Sequence, residues 1–401
     1  MTTEQQVLIE LIKADILGEE PNVSIQDVDW SAVAKESLLQ SVTISALESA
    51  SSIKDKIPTQ VYNAWLNKAC LVSAKNQIIS NSQNMLIGTL SQNKYKYAIL
   101  KGEASAAYYR KPSHRVLGDV DFLIEPTNCE DIANLIRDKG YKSFLEGNEH
   151  HIVFKNENSF LEMHHKPAGI PRGVAGVILS EFLADTLNNT QVKNLGCGDF
   201  LAPNDLYHGV ILILHTQHHL LYEGIGLRHL CDVAAFVNAT MEKPFVVEEF
   251  LPLLKKVGLY TFFSVLVDIC VNYLGINKPA WHLPIDQEVC TEVLEDILSG
   301  GNFGRKDNLR GKSGNLITNH KTDGKKHSKL FNLFRTLKDS TDEVYPIVKQ
   351  HPILYAVYMP YRAIRYIVLT IKGEKVNIIK TIPLADKRQK IYDKLHIFEV
   401  E

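Results

Sequence analysis

Leu117-Gly118-Asp119-Val120-Asp121-Phe122-Leu123-Ile124 sets two carboxylates two residues apart inside an otherwise apolar, strand-like run. Side chains at i and i+2 of a strand leave the same face, roughly 6 to 7 Å apart along it. Asp119 and Asp121 would therefore stand side by side, with Val120 and Phe122 packed behind them. Two like charges held that close favour a cation between them. Hard oxygen ligands of this kind suit Mg²⁺, which is commonly held by one or two carboxylates plus the phosphates of a substrate. Such pairs also arise by chance on the wet face of an edge strand, so the flanking sequence has to decide.

Upstream, Tyr97-Ala98-Ile99-Leu100-Lys101-Gly102-Glu103-Ala104-Ser105 passes from a short apolar run through a glycine into Ala-rich, helix-compatible sequence. The pattern predicts strand, tight turn, helix. Such a turn lets backbone N–H groups approach an anion closely, as in many phosphate sites. Downstream, Ser159-Phe160-Leu161-Glu162-Met163-His164-His165 alternates with period two. That places Phe160, Glu162 and His164 on one strand face and Leu161 and Met163 on the other. Glu162 is the only acid in the run.

In this order the blocks resemble the DNA polymerase beta-like nucleotidyltransferase superfamily, whose pattern is a strand ending in Gly-Gly or Gly-Ser, then Asp-x-Asp, then a third carboxylate on a later strand. More narrowly, Leu100-Lys101-Gly102 followed by Arg115 and Asp119-Val120-Asp121 is similar to the bacterial family of uncharacterised nucleotidyltransferases. Glu103 departs from the wider pattern, standing where a second Gly or Ser is expected. The resemblance implies an α+β fold with a small mixed sheet as its core, flanked by largely helical regions. It implies transfer of a nucleoside monophosphate from an NTP to an acceptor hydroxyl, with pyrophosphate leaving. Asp119, Asp121 and Glu162 would hold two Mg²⁺ ions, and Glu162 would help deprotonate the acceptor. Lys101, Gly102 and Arg115 would meet the nucleotide's phosphates, with Ser105 as a stand-in for the missing small residue.

Composition suits an intracellular enzyme. The 401 residues are 45% hydrophobic and 22% charged, enough for sizeable cores and two to three units. A net charge of −2 offers no global attraction to nucleic acid or to an anionic membrane. Cysteines 70, 129, 197, 231, 270 and 290 form no C-x-x-C pair, so free cytosolic thiols are expected. The polar, acidic start lacks the order of a secretory signal, and a cytoplasmic location follows as the expectation. The stretch from Val257 to Ile276 approaches bilayer length but carries Asp268 and Asn272, so it reads as a buried core helix. The short apolar run from Ile364 to Ile371 likewise reads as packed structure.

Residues 1–92 read as a helical lead-in, 93–170 as the sheet core, 171–300 as a helical domain, 301–329 as a mobile basic loop and 330–401 as a C-terminal helical region. Thr127 or Asn128 would cap a helix that Gly140 ends, and Pro203-Asn204-Asp205 would introduce another. This second helical part holds His208, His215, His218, His219 and His229. His208, His215 and His219 share a helical face, but the set lacks HExxH spacing, so a polar cleft or core histidines fit better than zinc. Arg228 and Asp232 are four residues apart and are simplest as an intrahelical ion pair. The sharper alternative has His164, His215, Arg228 and Asp232 lining an acceptor cleft. Small molecule, protein and RNA all remain open as acceptor. Two other functions stay open: a catalytically inactive nucleotide-binding regulatory module, and a histidine-based metallohydrolase centred on residues 208–229.

Overall fold

Thr2 starts the first helix with a capping box. Its hydroxyl accepts from the Gln5 amide at 3.3 Å, and the Gln5 side chain accepts from the Thr2 amide at 2.9 Å. Two donors that a helix start leaves bare are thereby satisfied. The computed structural model describes residues 1–401 except 25–26, 145–150, 197, 308, 315, 318–327, 373–376 and 401. Four helices lead in: α1 Thr3–Leu17, α2 Trp30–Leu39, α3 Thr43–Ser51 and the long α4 Thr59–Gln92. The sheet segment follows as β1 Tyr97–Leu100, α5 Gly102–Ala106, β2 Val120–Ile124, α6 Cys129–Asp138, β3 Lys142–Phe144, β4 His151–Lys155 and β5 Phe160–His164. Next come α7 Gly173–Leu183, β6 Thr190–Asn194, β7 Asp199–Pro203, α8 Asp205–Leu221, α9 Leu227–Thr240, α10 Leu251–Lys256, α11 Tyr260–Leu274 and α12 Gln287–Gly300. The chain closes with α13 Arg310–Gly314, α14 Lys329–Val344, α15 Ile347–Gln350, α16 Tyr355–Ile371 and α17 Ile382–Asp393. This is the expected α+β architecture.

The five strands run in the order β1-β2-β5-β4-β3, parallel between β2 and β5 and antiparallel elsewhere. Period-two alternation gives the sheet two unlike faces. Ile99, Phe122, Phe154, Leu161 and Met163 pack with Leu86 and Leu90 of α4 and Ile132 and Ile136 of α6. Burying an aromatic such as Phe122 there contributes about 1.5–3 kcal/mol. The opposite face carries Ala98, Leu100 and Leu123, which join the helical core, and beside them Asp121, Glu162 and His164.

That helical core is continuous from Val7 in α1 to Phe398 near the C-terminus. α11 lies within it, with Phe262, Val265, Leu266 and Ile269 fully buried, as the reading of residues 257–276 required. α8 opens as expected, its Asn204 side chain accepting from the Tyr207 amide at 3.2 Å.

Three features differ from the sequence reading. The β6–β7 hairpin interrupts the region expected to be helical: Phe200 and Ala202 bury against the sheet's helix-backed core, although β6 itself is polar and half-exposed. The expected mobile loop is packed where it is described. Arg310 is buried against Asp296, and Leu316 and Ile317 join the helical core; residues 318–327 lie outside the described residues. The run from Ile364 to Ile371 is not packed, since Ile364 is 62% and Ile371 80% exposed. In α16 the charge-free face points outward and Met359 turns in.

Candidate active site

The turn after β1 is built from two residues with positive φ, Lys101 at 45° and Gly102 at 40°. Gly102 is needed for that conformation and not for space, because a Cβ there would meet only the Asp119 carbonyl, at an ordinary 3.7 Å. Lys101 holds a left-handed conformation at a cost of about 1–3 kcal/mol, a strain that aims its side chain at β2. Helix α5 is five residues long, so its dipole adds little to anion binding. Glu103 turns the other way. It is buried and accepts hydrogen bonds from Ser80 and from Gln83 of α4, the latter at 2.6 Å. The departure from the family pattern is therefore a tether to α4 and leaves the site side of the turn free. Ser105 is buried too, its hydroxyl 3.5 Å from the His208 ring.

Across the turn, Asp121 of β2 lies in register with Glu162 of parallel β5 and with Leu100 of β1. Lys101 Nζ sits 2.6 Å from Asp121 Oδ1, and His164 Nε2 lies 2.8 Å from the same oxygen and 3.6 Å from Glu162 Oε2. Asp121, Glu162 and His164 offer ligand atoms all within 4.8 Å of one another, the one such group of His, Cys, Asp or Glu among the described residues. Asp119, one residue before β2, is half-buried beside them.

The charges are strongly coupled. Burial and the neighbouring charges of Asp121 and Glu162 push the Asp119 carboxyl up to about 7. Burial acts to raise Asp121 as well, but the Lys101 ammonium and the hydrogen bond from His164 hold it below the usual carboxylate range. For Lys101 itself, burial is outweighed by Asp121, Asp119 and Glu162, which keep its pKa above the ordinary value. His164 is also raised: burial opposes its charge, while hydrogen bonds with Asp121 and Glu162 favour it. Three acids face one ammonium, and one of them is already driven towards neutrality. That donor set fits a hard divalent cation, which would relieve the repulsion that raises Asp119.

Behind the carboxylates stands a second charged layer. Arg115 grips Asp232 of α9 through Nε at 2.7 Å and Nη2 at 2.8 Å, and the Tyr109 hydroxyl donates to the same carboxylate at 2.6 Å. Arg228 is therefore not the partner of Asp232, in contrast to the simplest helical expectation. A bidentate guanidinium arriving from the loop before β2 outcompetes the intrahelical one. Arg228 instead donates to the Val116 carbonyl at 3.2 Å and lies over the Phe303 ring at 5.3 Å. Its Nε is buried without a hydrogen-bond partner. Burial and the charge of Arg115 lower its pKa, and Asp119 and Asp232 oppose that fall.

His215 and His219 of α8 gather with His229 of α9, the first pair 4.3 Å apart and each 6.0 and 5.9 Å from His229. Phe303 caps the group, 4.7 Å from His219. Burial first, then the charge of Lys101 for His215 and of Arg228 for His229, hold both imidazoles well below their ordinary pKa. They are neutral at pH 7. His208 is elsewhere, its ring tilted 33° to that of Tyr108 at 4.8 Å. The α8 and α9 histidines do not converge as a metal-ligand set among the described residues.

The mixed sheet thus presents in-register acids beside a Gly turn. A model of the uncharacterised nucleotidyltransferase family matches residues 26–275, from before α2 to the end of α11, and the chain belongs to that family. No curated protein matches it. The family assignment supports a transferase with a nucleotide substrate.

Sequence reasoning found Lys101, Asp119, Asp121, Glu162 and His164, which the structure brings together, and Ser105, which it does not. It missed the tether role of Glu103, the Arg115–Asp232 clamp, and the closure of the histidine group by His229 and Phe303. A single buried-type Arg three residues before Gly118 was a signal for the clamp; nothing local pointed to Phe303.

Proposed function

We propose that the protein transfers a nucleoside monophosphate from an NTP to an acceptor hydroxyl, releasing pyrophosphate, in a Mg²⁺-dependent reaction. The observation that carries this reading is the placement of Asp121 and Glu162 opposite each other on β2 and β5 with Lys101 facing them. Asp121 and Glu162, joined by Asp119, are the residues that would hold the metal. Bound there, divalent ions polarise the α-phosphate and neutralise the leaving group. Lys101 offers an ammonium to the phosphates once its contact with Asp121 is released, and Gly102 leaves the turn open for their approach. Arg115, tied to Asp232, acts through positioning and holds the chain that leads to Asp119. Glu162, half-exposed at 26%, takes the proton as the acceptor oxygen bonds to the α-phosphorus and the bond to pyrophosphate breaks. Arg228 forms the wall behind the acceptor, and Asp232 is held by Arg115.

The test is pyrophosphate release from NTP with Mg²⁺ and a cell extract as acceptor source. Asp121→Asn should lower it by at least about 100-fold, the scale of a lost transition-state charge contact; unchanged turnover would show the reading to be wrong. The Lys101–Asp121 ion pair also favours a second reading, a nucleotide-binding module that does not turn over. Calorimetric binding of a non-hydrolysable NTP analogue without pyrophosphate release from NTP would select it.

A further inference from the structure

A cavity of about 330 Å³ lies between α1, the turn after α2, the loop before β2 and α9, within the range of small-molecule sites. Asp15, Tyr109, Arg110, Arg115, Val116 and Arg228 are in its lining. Val116 is three residues from Asp119, so the cavity wall and the carboxylates are at most about 11 Å apart along the chain. Its cations are unequally answered. Arg115 is spent on Asp232, Lys111 on Glu48, and Asp15, the one carboxylate of the lining, bonds to His114 and Ser45. Arg110 and Arg228 have no carboxylate partner among the described residues. Arg110, exposed, uses one nitrogen on the Asp15 carbonyl, and Arg228, 7% exposed, keeps its Nε unpartnered.

We propose that this cavity receives the acceptor and that the acceptor is a small molecule carrying a phosphate or carboxylate group beside its hydroxyl. The assignment rests on the nucleotidyl-transfer reading above. Arg228 reaches both the cavity and the field of Asp119, so an anion held by Arg110 and Arg228 would place a neighbouring hydroxyl towards the β2 acids. The first measurement is calorimetric titration of the full chain with inorganic phosphate, with and without a saturating non-hydrolysable ATP analogue and Mg²⁺. Saturable binding that survives the analogue is expected. It should weaken about ten-fold in Arg110→Gln, the loss of one charge-assisted hydrogen bond; Arg110 is exposed, so the variant folds. Absent binding, displacement by the analogue, or indifference to Arg110→Gln overturns the cavity assignment. In the second measurement, α-labelled NTPs are incubated with extract metabolites split by anion exchange and with the macromolecular fraction. Label in the acidic small-molecule pool is expected, and label only in neutral or macromolecular pools overturns it. If no pool is labelled, nucleotidyl transfer itself fails, while the phosphate titration still decides whether the cavity is an anion site.

Twelve of the 24 exposed large apolar residues lie between Leu330 and Ile371. On α16 they are ordered: Val357, Tyr361, Ile364, Ile367, Val368 and Ile371 fall within an arc of about 120° at 3.6 residues per turn. That is wider than a coiled-coil seam, and exposed apolar patches of this kind mark interaction surfaces. The rim is basic. Arg365 and Lys372 flank the face on one side, and residues 355–372 contain no acid. Across 329–372 there are seven Lys or Arg against three Asp or Glu, whereas the whole chain has 44 against 46. No described helix is long and apolar enough to cross a membrane.

We infer that α16 docks the protein on the surface of a bilayer containing anionic lipid, its apolar face in the interface and its cations at the headgroups. This proposal is independent of the reaction. The full chain is co-sedimented with vesicles of phosphatidylglycerol and phosphatidylcholine, or of phosphatidylcholine alone, at low and high salt. Binding to the anionic vesicles, weakened by salt and reduced at least about ten-fold in Ile364→Glu/Ile371→Glu, is expected, as two charges are forced into the interface. Both residues are exposed, and a thermal melt checks the fold. No vesicle binding overturns the proposal, as does equal binding to both compositions. A dimer in gel filtration that the double variant dissociates, without vesicle binding, assigns the face to a second copy instead.

Discussion

Burial and two neighbouring carboxylates, Asp121 and Glu162, oppose the charge of Asp119 and raise its pKa to about 7. The sign of the consequence follows from linkage. With its pKa raised to about 7 in the fold and near 4 when unfolded, the native state binds the extra proton between those values. Stability therefore falls as pH rises from about 4 to about 7 and stays reduced above. In chelator, Asp119→Asn should raise the melting temperature at pH 8, with the gain shrinking as the pH is lowered towards 4. Added Mg²⁺ should stabilise the native chain more than the variant. A variant that melts like the native chain at pH 8 would show that Asp119 carries no such repulsion. This residue was legible in sequence because strand period two fixes which acids share a face. Its raised pKa was not, since that depends first on burial, then on Asp121 and on Glu162 from another strand.

At the level of elements, two tethers decide how the site is held. Glu103 joins α5 to α4, and introducing the small residue of the wider pattern with Glu103→Gly should cost about 2 kcal/mol by removing charged hydrogen bonds. Denaturant melts should show that loss without a change in nucleotide affinity. The Arg115–Asp232 clamp joins the loop before β2 to α9. Removing either partner, as in Arg115→Ala or Asp232→Ala, should destabilise by about 3–5 kcal/mol by leaving a buried charge alone. The double variant should lose less than the sum, which a double-mutant cycle reads directly. The strands were readable because their apolar and polar residues alternate. The hairpin β6–β7 was not, since the one apolar residue of β6, Val192, is exposed and the hairpin draws its place from Phe200 and Ala202 of β7. The clamp was misassigned for a similar reason: spacing of four made Arg228 the local candidate, and only the fold reveals a partner 117 positions away.

On the scale of the whole molecule, the lead-in helices, α8 to α12 and the C-terminal residues share one core. Sequence periodicity announced the helices one by one but could not say which would meet. It also assigned an apolar run inward that α16 turns outward, since periodicity gives a face and not its neighbour. The far end of the chain reaches back through Arg388, which is fully buried and donates to the carbonyls of Leu220 at 2.7 Å and Leu221 at 3.0 Å, and to Ser313. Arg388→Ala should cost about 3 kcal/mol or more, since several buried acceptors lose their donor at once. Melting curves should show it as a single lowered transition. The Leu220 carbonyl also accepts from Tyr392, so the end of α8, about one and a half turns from His215, is buttressed from beyond the family's matched segment. A substitution in α17 that moved this end of α8 would thus shift the imidazole group while every residue of the carboxylate strands stays the same.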